Sequence, residues 1–248
     1  MRKVVAAIDN SAASRPVLAM AQAVASALGG ALDVVHVTED GDETARASAQ
    51  AAGATLHTAV GDPIEQLELV VAHKNVVALV LGARGGRAGP RPAGHLALTL
   101  ASRTDKPVVV VPPDAQPPER LHKVLVAMEG TPGKARALQR TIELSTGAGF
   151  EIVVVHVDED IPSFTDQIQH ETEAYAQEFF ARHLLGAPQV RLELRIGVPA
   201  VEVLAAVESL QAELVAVGWP HTTDPSRGTV AREILERSSV PVLLVAVT

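Results

Sequence analysis

The chain has 248 residues, a mean hydropathy of +0.20 and a formal net charge of −8, which is length enough for one large domain or two of about 120 residues. The acidic balance, with no long run of one sign, excludes broad attraction to nucleic acid or to an anionic membrane. Without cysteine there are no disulfides, thiolate metal sites or thiol chemistry, and one Trp, one Tyr and four Phe leave little for base stacking.

The opening "MRKVVAAIDNSAAS" breaks its apolar run at Asp9, too early for a signal-peptide core or a membrane span, so a cytoplasmic chain without a membrane partner is expected. Short β-branched runs then alternate with helical patterns. Strands are predicted at 3–8, 32–37, 54–59, 76–81 and 107–111, and helices at 12–28, 41–52, 63–73 and 94–103. Ser11, Asp62 and Gly94 read as helix starts, with Pro63 at the favoured first position. Most of the strands are apolar at successive positions, which implies burial on both faces and a parallel sheet covered by helices.

The chain then repeats itself. "KVVAAIDNS" from Lys3 matches "KVLVAMEGT" from Lys123, and "GGALDVVHVTED" from Gly29 matches "GFEIVVVHVDED" from Gly149, both at an offset of 120 residues. Seven of the twelve positions in the second pair are identical, including His36 with His156. Further along, "ALVLG" ending at Gly82 matches "LVAVG" ending at Gly218 at an offset of 136, and "KPVVVV" from Lys106 matches "VPVLLV" from Val240 at 134. An insertion of about one helix within 162–187 accounts for the change, and a helix from Ser163 to Leu185 is predicted there. These offsets predict two α/β domains, 1–113 and 121–248, joined by a proline-rich linker at 114–120. Each is a doubly wound open parallel sheet. The apolar final strands need covering, so the copies are predicted to meet through them as an internal pseudo-dimer able to pair again as a homodimer.

In such a sheet a ligand sits outside the carboxyl ends of the strands where the winding direction reverses. The strand ending in "AAIDNS", the "VVHV" strand, the "GDP" before a helix, and "GARG" followed by a glycine-rich loop and "KPVVVV" together resemble the universal stress protein family in its tandem form. The resemblance implies a strand order of 3-2-1-4-5, as in adenine nucleotide alpha-hydrolase-like folds. It also implies, in one branch, ATP held with or without magnesium by a G-x2-G-x9-G-[S/T] loop.

Carried over residue by residue, the first copy offers Ala7, Asp9 and Val37 around the base and ribose, and Gly82, Arg84, Gly85, Gly94, His95 and Leu96 around the phosphates. Eight residues rather than nine separate Gly85 from Gly94, and His95 stands where the family has a hydroxyl. The second copy offers Ala127, Glu129 and Val157, then Gly218, Gly228, Thr229 and Val230. It has His221 in place of a glycine and only six further residues before Gly228. Glycines let the backbone approach a phosphate and arginines match its oxygens, so each loop reads either as a cradle or as a plain connection. Arg84, Arg87 and Arg91 favour the first copy. So does charge: residues 1–118 carry 10 basic and 11 acidic side chains, or −1, and 119–248 carry 11 and 18, or −7.

Asp9 reads equally as a nucleotide ligand or as a cap beside Ser11. The repeated "HVxED" at His36 and His156 offers metal-ligand types, or a strand-end histidine beside a solvated turn. No nucleophile, base or metal set emerges, so at most a slow hydrolysis of bound ATP is expected. An adenine-nucleotide-binding stress module is the leading expectation. An interaction scaffold with degenerate sites is the alternative.

Overall fold

The structure is a computed structural model, and it describes residues 1–38, 41–83, 94–128, 149–158, 190–220, 222, 224 and 226–247. The first half runs β1 (Lys3–Ile8), α1 (Ser14–Ala27), β2 (Ala31–Val37), α2 (Glu43–Ala51), β3 (Thr55–Ala59), α3 (Pro63–Val71), β4 (Val76–Gly82), α4 (His95–Ala101) and β5 (Val108–Val111). The second half supplies β6 (Lys123–Met128), β7 (Glu151–Asp158), β8 (Val190–Ile196), α5 (Pro199–Ser209), β9 (Leu214–Pro220), α6 (Thr229–Arg237) and β10 (Val242–Val247). The five strands expected of the first half lie within one residue of these bounds. The helix predicted from Ser163 lies outside the described residues.

All the strands join one ten-stranded sheet in the order β3-β2-β1-β4-β5-β10-β9-β6-β7-β8. Each half contributes five parallel strands in the order 3-2-1-4-5, and the halves meet antiparallel between β5 and β10. At this seam Val109 pairs with Leu243, its own counterpart at the offset of 134, while Val110 pairs with Val242 and Val108 with Leu244. The repeat therefore meets itself about a local twofold axis through the Val109–Leu243 pair. Valines fill this strand because it is central to the ten: Val109 and Val111 enter one core and Val108 and Val110 the other, all at most 2% exposed.

The core on one face holds Val17, Met20 and Val24 of α1 and Ala45 and Ala49 of α2. That on the opposite face holds Leu67 of α3, Leu100 of α4, Val203 of α5 and Ile234 of α6. The first-half helices thus change faces between α2 and α3, and the switch point falls between β1 and β4. α3 starts as expected: the Asp62 carboxylate accepts the Ile64 and Glu65 amides at 2.9 and 3.2 Å, with Pro63 in the first turn. α1 does not start at Ser11. Its N-cap is Ala13, whose methyl has nothing to bond with, and the Ser11 hydroxyl is turned back to Asp9.

Candidate functional site

β1 places Asp9 one residue beyond its carboxyl end, beside the end of β4 at Gly82. Asp9 organises the turn into α1: its Oδ1 accepts the Ser11 amide at 2.9 Å, the Ser11 hydroxyl at 2.5 Å and the Ser14 hydroxyl at 3.2 Å. These bonds fold the chain into a side-chain turn ahead of α1, and the N-cap position itself falls to Ala13. Ala7, Val37 and Leu96, together with Ala83, are partly buried against the α3–α6 core. They form a half-uncovered apolar wall at this edge.

The loop that follows β4 is closed at its base. The Ala83 amide donates to the Val111 carbonyl at 2.8 Å, and the Gly94 amide donates to the Ala83 carbonyl at 2.7 Å. Gly94 caps α4 with φ +79° and is followed by the exposed His95. Arg84, Gly85, Arg87 and Arg91 lie outside the described residues, as does Glu129.

The strand-end histidines have a structural use that their sequence context did not reveal. His36 is 3% exposed, and its Nδ1 lies 2.9 Å from the Ile8 carbonyl. A carbonyl only accepts, so Nδ1 carries the proton and the ring ties β2 to the last residue of β1. His156 repeats the contact on the Met128 carbonyl at 3.2 Å. Both histidines fix the peptide ahead of the candidate acid, Asp9 or Glu129. Among the described residues no group of three or more His, Asp or Glu side chains is placed to hold a metal. Glu39, Asp40, Glu159 and Asp160 of the "HVxED" pair lie outside them.

The second half repeats the wall with Ala127, Val157 and Val230, also partly buried on the α3–α6 face. Because β5 and β10 run antiparallel, the two candidate sites share a face of the sheet but open at opposite edges. They differ beyond Gly218. Where the first half has Ala83, the second has Trp219, fully buried, its indole N–H donating to the Ser102 hydroxyl at 3.0 Å.

Gly228 sits directly on this indole. With φ +67°, a Cβ added there would stand 2.8 Å from a ring carbon. Arg232 lies 5.0 Å over the indole centroid and donates to the Arg227 and Asp224 carbonyls at 3.2 and 3.3 Å. Asp224 Oδ1 accepts the Ser226 amide and hydroxyl at 2.9 and 2.8 Å. The amide bond, then the hydroxyl bond, hold its carboxyl below the ordinary carboxylate value, with smaller help from Arg227 and Arg232. Gly228 and Arg232 thus pack on a tryptophan at the position where the first half has Ala83. A cavity of about 410 Å³, lined by Asp114, Gln116, Gln211 and Glu213 among others, touches neither wall.

The model of the "Universal stress protein family" matches residues 1–55 and 120–246, well over half of the chain. The chain belongs to the universal stress protein family. This universal stress protein is 28% identical over 207 residues to a universal stress protein of Mycolicibacterium smegmatis, an alignment covering 78% of this chain and 69% of that one. A universal stress protein from Archaeoglobus fulgidus superposes with a TM-score of 0.66 over 98% of both chains at 18% identity. A putative universal stress protein from Pseudomonas aeruginosa gives 0.68 at 15% identity, over all of this chain and 94% of that one. At these identities the solved structures establish the fold. Among the described residues of this family member, no helix is long and apolar enough to cross a membrane.

Proposed function

We propose that this universal stress protein is a regulatory adenine-nucleotide binder of the cytoplasm that holds ATP in its first half, with magnesium where the triphosphate requires it. The observation that carries this reading is the contrast between the two strand-four exits. In the first half, Asp9, Gly82 and Gly94 meet at one edge beside the half-uncovered Ala7, Val37 and Leu96. Glycine-bounded backbone next to an apolar wall suits phosphates and a purine respectively. In the second half Trp219 stands where the first has Ala83, and it lies buried under Gly228.

On this reading 1–113 is the ligand-binding domain, 114–120 the linker and 121–248 a partner domain, the two acting as an internal pseudo-dimer across β5 and β10. Trp219 favours a second reading for the partner domain alone, that of an interaction scaffold whose nucleotide site has been given up. Equilibrium dialysis of the full chain with radiolabelled ATP tests both. One equivalent is expected, lost in Gly94→Glu and weakened in Asp9→Ala while the melting temperature of Asp9→Ala stays within a few degrees. Two equivalents, or affinity untouched by Gly94→Glu, would overturn the assignment to the first half.

A further inference from the structure

α4 is the last helix of the first half, yet both its ends are engaged by the second. At its start, Leu235 of α6 lies against Gly94, 3.8 Å from where a Cβ would stand. At its end, the Ser102 hydroxyl accepts the Trp219 indole N–H at 3.0 Å, and its own proton is shared between the Leu98 carbonyl at 2.8 Å and the Thr222 carbonyl at 3.0 Å. The Trp219 contact is buried and directional. A fully buried indole whose N–H lost its acceptor would be left unsatisfied, so the ring cannot shift without Ser102 shifting too. The ring is also fixed from the other side, between Gly228 and the Arg232 guanidinium.

From these contacts we infer that Ser102 and Trp219 are positioning residues for the first-half site: the second half holds α4, and with it Gly94, His95 and Leu96, through a bond that crosses between the halves. The inference rests on the nucleotide reading of that site and adds its partner, since the degenerate half becomes the part that sets the geometry of the other. Movement of α4 when the site is filled passes to the indole, because one hydrogen bond and two packed faces leave no slack between them. Trp219 is the only tryptophan in the chain, so its emission reads this contact alone.

The test titrates the full chain with ATP, following binding by dialysis and Trp219 emission with excitation at the red edge of indole absorption. Emission is expected to change with the same midpoint as dialysis. Ser102→Ala is expected to weaken ATP binding by between about two- and thirtyfold, and Ser102→Thr, which keeps the hydroxyl, to restore it. Trp219→Phe, which keeps a ring but removes the donor, is expected to match Ser102→Ala by dialysis and covers the case in which one variant does not fold. Binding by dialysis with silent emission, or with Ser102→Ala and Trp219→Phe both at wild-type affinity, overturns the coupling and leaves the first-half site standing. Absence of binding by dialysis removes both.

Discussion

Gly228 has two separate reasons to be glycine, and they make its replacement costly. Its φ of +67° charges any L side chain about 1–2 kcal/mol, and the indole lies 2.8 Å from where a Cβ would stand, backed by Pro220 at 3.4 Å. A fully buried ring cannot retreat, so overpacking adds about 1–3 kcal/mol. Gly228→Ala is therefore expected to cost about 3 kcal/mol in urea denaturation. Gly41→Ala, at φ +59° with nothing within 4 Å of the added atom, is expected to cost about 1 kcal/mol. Equal losses would show that the backbone, and not the tryptophan, decides. In the sequence Gly228 was legible as a helix-start glycine of a phosphate loop. That Trp219 lies beneath it was not, because the contact joins positions whose spacing belongs to no helical or strand period.

At the scale of elements, alternating strands and helices were legible because each carries its own period and its own punctuation. α1 ends with Gly29 at φ +59° and the Gly30 amide bonded to the Ala25 carbonyl at 2.8 Å. α2 ends the same way at Gly53, with the Ala54 amide on the Ala49 carbonyl at 3.0 Å. α5 closes with the same pattern, the Ala212 amide on Val207 at 2.9 Å, but the left-handed position is held by Gln211 at φ +53°. Glutamine is not a stop signal, so this helix end could not be read from the residue that makes it. Nor could the start of α1, where Ser11 serves Asp9 rather than the helix. Gln211→Gly removes the strain while giving back part of the gain as unfolded-chain entropy, and a net stabilisation of about 0.5–1 kcal/mol is expected. A rise in melting temperature checks it; an unchanged or lower value would mean that contacts of the Gln211 side chain at the cavity beside Asp114 and Glu213 outweigh the backbone.

The whole molecule is organised by one short seam. The offset of 134 between the final strands and their need for cover were legible in the sequence, and the offset is what brings Val109 opposite Leu243; the antiparallel register of the pair was not. A continuous sheet with shared cores on both faces should unfold as a unit. Trp219, bonded to Ser102 of the opposite half, reports the loss of that contact, while far-UV circular dichroism reports helices and strands throughout. In guanidinium the two transitions are expected to coincide for the natural chain. Val109 is 2% exposed at the axis, so Val109→Asp must either bury a charge or open the seam, at a cost of about 3 kcal/mol or more. Opening is the cheaper course, because each half keeps its other four strands paired. The fluorescence transition of Val109→Asp is then expected to move to lower denaturant than the dichroism transition. If the two stayed superimposed while stability fell, neither half would hold without the other, and the seam would be part of a single domain rather than a joint between two.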